Sequence, residues 1–273
     1  MSSSSQSDEM WLKACFLSRL VASSVRVSES AGQVIKDILA GGDLRVVNKS
    51  EEGGKSDPQT EADRAAQYCI VQSLQKQFGN KLNIIGEEDV TSVVPQLETA
   101  FHPAVLSVDN QCSADLRAIR EEEVVVWVDP LDGTTEVARN VTKSFAHLQQ
   151  VTVLIGIAHK GRAVAGVVHQ PYYGEKGEGR TVWAIKDVGV FGLTPSAATE
   201  KKVVVTTRSH SSQLVSDALE ALREKQLLSE VERVGGAGYK VLRVLEGAAA
   251  YVFASGGCKK WDTAAPEAIL EAA

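Results

Sequence analysis

The chain has 273 residues, of which 44% are hydrophobic and 23% are charged, a composition typical of globular proteins with one large core or two modest lobes. Its formal net charge of -6 argues against a nucleic acid polymer as partner. No apolar run reaches the ~18–20 residues that a membrane-spanning helix needs, and the polar N-terminus lacks the apolar core of a signal peptide. The four scattered cysteines form no CxxC pair, so we expect reduced thiols of a cytoplasmic protein instead of a disulfide framework or a zinc site.

Hydrophobic periodicity and turn residues predict a different rhythm in the two parts of the chain. The elements predicted before residue 192 are a frayed Ser-rich tail (1–8), two helices (10–40 and 58–78), a short strand (82–85), an irregular stretch with one helix (90–122) and four strands (124–128, 151–159, 163–170 and 180–186). Those predicted beyond it are three strands (202–207, 231–234 and 249–254) and three helices (213–227, 239–245 and 263–273). Gly41-Gly42 is expected to end the first helix, and Asp57-Pro58 to begin the second as N-cap and first helical residue.

These elements predict an α+β or α/β fold of two lobes. The neighbouring strands before residue 192 predict a largely antiparallel, mixed sheet. The alternation of strand and helix after it predicts a smaller α/β lobe. We therefore place an N-terminal lobe over residues 10–192 and a C-terminal lobe over residues 193–273.

The segment after the predicted strand 124–128 carries two carboxylates three residues apart. Pro130 fixes the turn between Asp129 and Asp132, so both side chains can converge on one point. Gly133-Thr134 can then open a helix, whose free amides are suited to bind phosphate. Clustered carboxylates repel one another unless divalent cations lie between them, and cations beside free amides indicate phosphate-ester hydrolysis. A DxxD pair alone is more often a simple turn and helix cap.

Further acids stand at the ends of other predicted elements. Glu87 follows the short strand 82–85, Asp63 lies in the first turns of the second helix, and Asp262 lies at the start of the last helix. Each of these alone is more readily structural: Asp63 as an exposed helix charge and Asp262 as an N-cap. Their order along the chain is what makes them informative.

In that order, the segments DPQTEAD (57–63), GEE (86–88), WVDPLDGTT (127–135) and WDTAAPE (261–267) resemble the lithium-sensitive, magnesium-dependent phosphatases of the inositol monophosphatase superfamily. The segments IIGEED, VTVLIGIA, TTRSHS, RVGGAG and YVFAS are most similar to its bisphosphate nucleotidases. The resemblance runs from about residue 10 to the last residue. It implies a layered αβαβα sandwich in two lobes, with the C-terminal lobe truncated, because members of the superfamily continue past the last helix.

The resemblance also implies which residues form the site. The implied metal ligands, for two to three Mg2+ ions, are Glu87, Asp129, the backbone carbonyl of Leu131, Asp132 and Asp262. The implied water-activating pair is Asp63 and Thr134. The implied substrate contacts are Gly133, Thr134, Thr207, His210, Gly236 and Lys240.

The implied function is removal of the 3'-phosphate of adenosine 3',5'-bisphosphate to give AMP, with 3'-phosphoadenylyl sulfate as a second substrate and no covalent enzyme intermediate. Thr135 replaces a lysine common in bisphosphate nucleotidases, whereas inositol monophosphatases carry threonine there. An inositol polyphosphate 1-phosphatase is therefore one open alternative. A non-catalytic nucleotide-binding protein is the other, and the sequence does not specify the oligomeric state.

Overall fold

The computed structural model describes residues 3–42, 47–48, 58–88, 96–140, 145–197, 200–208, 212–253 and 258–273. The helices are α1 (Ser3–Lys13), α2 (Phe16–Gly41), α3 (Glu61–Phe78), α4 (Pro103–Leu106), α5 (Ala114–Arg117), α6 (Thr134–Asn140), α7 (Phe145–Leu148), α8 (Gln213–Glu224), α9 (Ala237–Leu245) and α10 (Lys260–Ala272). The strands are β1 (Val47–Asn48), β2 (Pro58–Gln59), β3 (Asn83–Gly86), β4 (Val124–Asp132), β5 (Thr152–His159), β6 (Arg162–Gln170), β7 (Arg180–Ile185), β8 (Gly189–Phe191), β9 (Val203–Thr207), β10 (Glu230–Val234) and β11 (Ala250–Val252). Among these helices, none combines the length and apolar character that crossing a membrane requires.

The first predicted helix, over residues 10–40, ends where it was predicted to end, but the chain before it differs from the prediction. The Ser-rich segment is helical in α1, and a break at Ala14 and Cys15 divides the predicted first helix in two. Gly42 ends α2 in the left-handed region at φ 78°, which confirms the expected role of the Gly41-Gly42 pair.

The predicted start of the second helix at Asp57-Pro58 is wrong. Pro58 lies in β2, which pairs antiparallel with β1, and Asp57 lies outside the described residues. Helix α3 begins after Thr60, whose hydroxyl accepts the backbone N–H of Asp63 while the Asp63 carboxylate accepts the backbone N–H of Thr60. This capping box satisfies two backbone donors at the helix start, so it determines where α3 begins, and Pro58 does not.

The predicted mixed sheet is confirmed as six strands in the order β3-β4-β5-β6-β7-β8. Strand β3 is parallel to β4, and every later neighbour is antiparallel. Strand β4 runs beyond its predicted end to Asp132, and its register with β5 shifts between Asp129 and Asp132. A bulge of this kind bends a strand and redirects its side chains, here at the acidic turn.

Successive residues of the sheet face two different helical layers, as the period of two in a strand requires. Ile155 and Val167 belong to the core that α2 and α3 cover on one face. Leu154 and Val168 pack with Ile269 of α10 on the other face. Helix α10 therefore covers the second face of the large sheet.

A second sheet of three parallel strands, in the order β10-β9-β11, follows the large one. Val204 packs with Val215 and Leu219 of α8 on one side, and Val205 packs with Tyr239 of α9 on the other. Because α9 also contacts α10 and β5, the layers alternate as helices, large sheet, helices, small sheet and helix, which agrees with the implied αβαβα sandwich. The change of sheet lies near residue 192, but the division into two lobes stays a prediction, since α10 packs on the large sheet.

Candidate active site

Asp129 lies at the centre of a cluster of carboxylates. Its side chain is 2% exposed, and its Oδ1 accepts the backbone N–H of Leu131 at 3.1 Å. Burial raises the pKa of Asp129 well above its ordinary value, and the surrounding carboxylates raise that pKa further. In decreasing order of effect, these are Glu87, Asp132, Asp262 and Asp63. The fold thus brings together the acids that the sequence places far apart, and we define these five side chains as the acidic cluster.

Asp132 joins the acidic cluster to the small sheet. Its two carboxylate oxygens accept the backbone N–H groups of Ala237 and Gly238, each at 2.8 Å, at the start of α9. Thr152 of β5 donates its hydroxyl to the same carboxylate at 2.7 Å. Because a carboxylate has about four acceptor positions, Asp132 retains capacity for a further partner.

Asp63 and Thr134 form the contact expected of a water-activating pair. Thr134 Oγ1 lies 3.0 Å from Asp63 Oδ1 and 3.0 Å from the carbonyl oxygen of Leu131. The other Asp63 oxygen accepts from the backbone and hydroxyl of Thr60, so the capping box orients the carboxylate. Burial raises the pKa of Asp63 to about 6, against the lowering effect of these hydrogen bonds. A carboxylate of this kind can accept a proton near neutral pH.

Glu87 is positioned by the backbone at the end of β3, where its N–H donates to the carbonyl of Val128 at 3.0 Å. The next residue, Glu88, is buried, and its N–H donates to Gln67 Oε1 at 2.8 Å. The Gln67 side chain also donates to the carbonyl of Glu88. This bidentate contact from α3 fixes the GEE turn, and the sequence analysis did not identify it.

Asp262 reaches the acidic cluster from the first turn of α10. Its carboxylate accepts the backbone N–H of Lys259 at 2.5 Å, which confirms its location at the helix start. Burial, together with the charges of Asp132 and Glu87, raises the pKa of Asp262 to about 7 against the lowering effect of the Lys259 N–H. The side chain is half-buried, so it forms the open side of the cluster.

The donor atoms of the acidic cluster fit a divalent cation. Carboxylate oxygens beside a backbone carbonyl, that of Leu131, are the hard ligands that Mg2+ and similar ions prefer. Burial and, after it, repulsion between the carboxylates raise the pKa values of Asp129 and Asp262, and a bound cation would relieve that repulsion. Within the described part of the chain, no three of these acids have ligand oxygens all within 4.8 Å of one another, so a shared ion would draw them closer.

Four further residues expected to contact substrate lie in the described part of the chain: Gly133, Gly236, Lys240 and Thr207. Gly133 (φ 94°) and Gly236 (φ 63°) approach each other closely, because a Cβ on Gly133 would lie 3.8 Å from the Gly236 Cα. Lys240 is 5% exposed and donates its ammonium to the Gly236 carbonyl at 2.8 Å, and burial lowers its pKa. Thr207 is buried at the end of β9, and His210 lies outside the described residues.

A second network, which the sequence analysis did not predict, ties the small sheet to the helix that follows the acidic turn. Arg208 pairs with the buried carboxylate of Glu136 in α6 at 2.5 Å and donates to Gln150 Oε1 at 3.1 Å. The same Gln150 oxygen accepts the N–H of Gly235 at 2.8 Å. Arg208 stands in the TTRSHS segment, but its partners are far away in sequence and gave no local signal.

The chain is similar to known proteins over most of its length. The sequence profile described as the inositol monophosphatase family matches residues 17–273. A curated relative, 3'(2'),5'-bisphosphate nucleotidase 1 of Homo sapiens, is 46% identical over 264 residues, which cover 94% of this chain and 81% of that protein. The protein of the same name from Dictyostelium discoideum is 32% identical, with 92% of this chain and 81% of that protein covered.

Solved structures share the fold at lower sequence identity. CysQ from Bacteroides thetaiotaomicron, described as a bacterial member of the inositol monophosphatase family, aligns with a TM-score of 0.61 and 23% identity over 94% of this chain and 87% of that one. The extragenic suppressor protein SuhB from Bartonella henselae aligns with a TM-score of 0.61 and 19% identity over 91% of this chain and 83% of that one. The resemblance on which the sequence analysis relied is confirmed, and the chain belongs to the inositol monophosphatase family.

Proposed function

We propose that this protein is a Mg2+-dependent 3'(2'),5'-bisphosphate nucleotidase that converts adenosine 3',5'-bisphosphate to AMP. The observation that carries the proposal is the convergence of buried carboxylates around Asp129, beside a Thr134–Asp63 contact. The relatives named 3'(2'),5'-bisphosphate nucleotidase 1 support the substrate. We assign Glu87, Asp129, the Leu131 carbonyl, Asp132 and Asp262 to two or three Mg2+ ions.

Asp63 and Thr134 act on the attacking water. The Thr134 hydroxyl accepts a hydrogen bond from the water and passes a proton to the Asp63 carboxylate, which lies 3.0 Å away. Asp63 can take that proton because burial raises its pKa to about 6. The capping box prevents the carboxylate from rotating, so the water is held in one orientation.

The phosphate lies against the backbone where the two sheets meet. Bound Mg2+ supplies positive charge for the phosphate oxygens and lowers the pKa of water. The N–H groups of Gly133 and Thr134 donate to the oxygens of the transferred phosphate. Gly236, Thr207 and His210 contact the rest of the substrate, and Lys240 contributes positive charge from its place beneath the Gly236 turn.

The substrate choice is tested by phosphate release from adenosine 3',5'-bisphosphate and from inositol 1,4-bisphosphate, with and without Mg2+. We expect Mg2+-dependent release that favours the nucleotide over the inositol phosphate, release of the 3'-phosphate of 3'-phosphoadenylyl sulfate as a second substrate, and inhibition by Li+. Asp129→Asn should remove most turnover, whereas Asp115→Asn, an exposed acid of α5, should leave it unchanged.

Two outcomes would contradict the proposal. Turnover of the inositol phosphate alone would assign the protein to the second candidate, which Thr135 favours. Binding of the nucleotide without turnover at saturating Mg2+ would make the chain a binding protein.

We also propose a cytoplasmic location, supported by the four free thiols. Subcellular fractionation under conditions that keep the thiols reduced tests this location.

A further inference from the structure

Two cysteines that the proposed function does not use meet at the break between α1 and α2. Cys15 is half-buried at the break, and Cys112 is buried in the segment that leads towards β4. Ser18 Oγ lies 3.4 Å from the Cys15 Sγ and 3.7 Å from the Cys112 Sγ. Asp109 completes the group, because its Oδ1 accepts the backbone N–H of Cys15 at 3.0 Å.

The surroundings of the pair stabilise a thiolate on Cys15. Cys15 is the N-cap of the 26-residue helix α2, where free backbone N–H groups and the helix dipole favour negative charge. The hydrogen bond from Cys112, with those from Ser18, lowers the pKa of Cys15 to about 6, whereas the same contact raises the pKa of Cys112. Burial and the Asp109 side chain act against this lowering of the Cys15 pKa, and the net effect favours deprotonation of Cys15 before Cys112.

The two sulfur atoms are close enough to react with each other. Among the residues that the structure describes, Cys15, Asp109 and Cys112 are the one group of three or more His, Cys, Asp or Glu residues whose ligand atoms all lie within 4.8 Å of one another. A disulfide needs about 2 Å between the sulfurs, so side-chain rotation has to close the remaining gap.

A metal ion fits this group less well than a disulfide does. Asp109 Oδ2 is paired with the guanidinium of Arg117 at 2.6 Å, which places a positive charge where a cation would have to bind. Asp109 Oδ1 is occupied by the Cys15 N–H, so two sulfurs remain. Structural zinc sites use four protein ligands.

We propose that Cys15 and Cys112 are a hydroperoxide-sensitive thiol pair that closes to an intramolecular disulfide. The Cys15 thiolate attacks the peroxide, which breaks the O–O bond, gives Cys15 sulfenic acid and, after protonation of the leaving hydroxide, water. Cys112 sulfur then attacks the Cys15 sulfur, and its proton leaves with the hydroxyl group as a second water. The two thiols lose two electrons in total, and the peroxide gains them.

The disulfide would tie the start of α2 to the segment that precedes β4. Such a bond closes a long loop of chain and restricts the unfolded state more than the folded one. The oxidised protein should therefore unfold at a higher temperature than the reduced protein. Neither cysteine belongs to the acidic cluster.

The test treats the full-length, reduced protein with hydrogen peroxide at neutral pH and maps its peptides without reduction. We expect one linked pair of peptides, Cys15 to Cys112, with a mass loss of about 2 Da. Cys112→Ser should stop the reaction at a Cys15 sulfenic acid that dimedone captures, and Cys15→Ser should leave Cys112 reduced. Serine is a good N-cap, so Cys15→Ser keeps the start of α2.

The other two cysteines supply matched controls. Burial raises the pKa of both Cys69 and Cys258 to about 11, so Cys69→Ser and Cys258→Ser should retain the linkage. Iodoacetamide at pH 7 should label Cys15 at least about tenfold faster than the exposed Cys258. Labelling of Cys258 first, a peroxide-treated protein in which the pair stays reduced, or stoichiometric Zn2+ retained through both thiols would each overturn the proposal.

Discussion

The Thr134 hydroxyl has one proton and two acceptors at the same distance, the Asp63 carboxylate and the Leu131 carbonyl. If the proton points to Leu131, a lone pair faces Asp63, which then has to carry a proton itself. If it points to Asp63, the carboxylate is ionised and ready to act as a base. The protonation of Asp63 therefore decides the direction of this hydrogen bond, and the hydroxyl is the group that transmits it.

Thr134→Ala should lower kcat about 10²–10⁴-fold, because the relay from water to Asp63 loses its hydroxyl. Thr134→Ser keeps the hydroxyl and should recover a large part of the activity. Steady-state kinetics at saturating Mg2+, with thermal melts of both variants, provide the measurement. Equal loss in the alanine and serine variants would show that the methyl group matters and that the relay is wrong.

Gly236 is the second residue whose type is restricted by its surroundings, because there is no room for a side chain at this position. A Cβ there would lie 2.7 Å from the Gln150 carbonyl oxygen and 2.9 Å from Asp132 Oδ2, and φ is 63°. Gly236→Ala should therefore displace Asp132 and reduce both turnover and the apparent affinity for Mg2+.

Gly161→Ala is the matched control for that substitution. Gly161 also has a positive φ, 76°, but no atom lies within 4 Å of the added Cβ. Its alanine variant should lose about 1–2 kcal/mol of stability through backbone strain alone, with unchanged kinetics. If the two variants have the same activity, the close approach at Gly236 has no role in the site.

At the scale of an element, the first turn of α3 links stability to the site. Thr60→Ala removes the N-cap and should cost about 1–2 kcal/mol of stability, and it also frees the Asp63 carboxylate to rotate. Ser212 caps α8 through the N–H of Val215, outside the acidic cluster, so Ser212→Ala should cost similar stability without loss of kcat. Chemical denaturation and kinetics of the two variants separate the effects. A normal kcat for Thr60→Ala would contradict the orienting role of the cap.

Local patterns predicted most elements, and the start of α3 was missed because two local signals compete there. The strands over 151–186 were predictable because apolar runs bounded by turn residues are a local signal. The start of α3 was not, since Asp57-Pro58 competes with the T-x-x-D spacing of Thr60 and Asp63, and the capping box prevails. The spacing itself could have revealed this box.

For the site, local motifs and distant partners have to be distinguished. Family motifs identified the acids, and the structure adds what holds them in place. Gln67 fixes the GEE turn, Thr152 and the start of α9 hold Asp132, and Arg208 joins α6 to the small sheet. These partners are brought together by the pairing of strands and the docking of helices, which no single stretch of sequence encodes.

At the scale of the whole molecule, the carboxylates of the acidic cluster belong to different segments of the chain and repel one another until a cation binds. Burial and neighbouring carboxylates raise the pKa of Asp129 above its unfolded value, so the folded metal-free protein retains a proton that the unfolded chain has lost. The contribution of Asp129 to the free energy of unfolding therefore falls as pH rises above about 4, the pKa of an aspartate in the unfolded chain.

Asp129→Asn should therefore stabilise the metal-free protein at pH 7, and this effect should shrink towards about pH 3, below the unfolded pKa, where Asp129 is largely protonated in both states. The variant should also lose the increase in melting temperature that Mg2+ gives the wild type. Comparing the two proteins at the same pH cancels opposite contributions from other groups, such as His169, whose burial lowers its pKa to about 3. Asp115→Asn is the control, and lower stability of Asp129→Asn at pH 7 in EDTA would refute the argument.

The packing of α10 on the large sheet also has a consequence for the order of events during synthesis. Gly156 and Gly166 let that helix lie directly on the strands, since a Cβ on either would meet the α10 backbone within 3 Å. Ribosomes add about 5–20 residues per second, so several seconds separate the emergence of β8 from that of α10. During that interval the apolar face of Leu154, Val168 and Val182 has no cover from α10. The nascent chain should therefore depend on chaperones until the last helix is made.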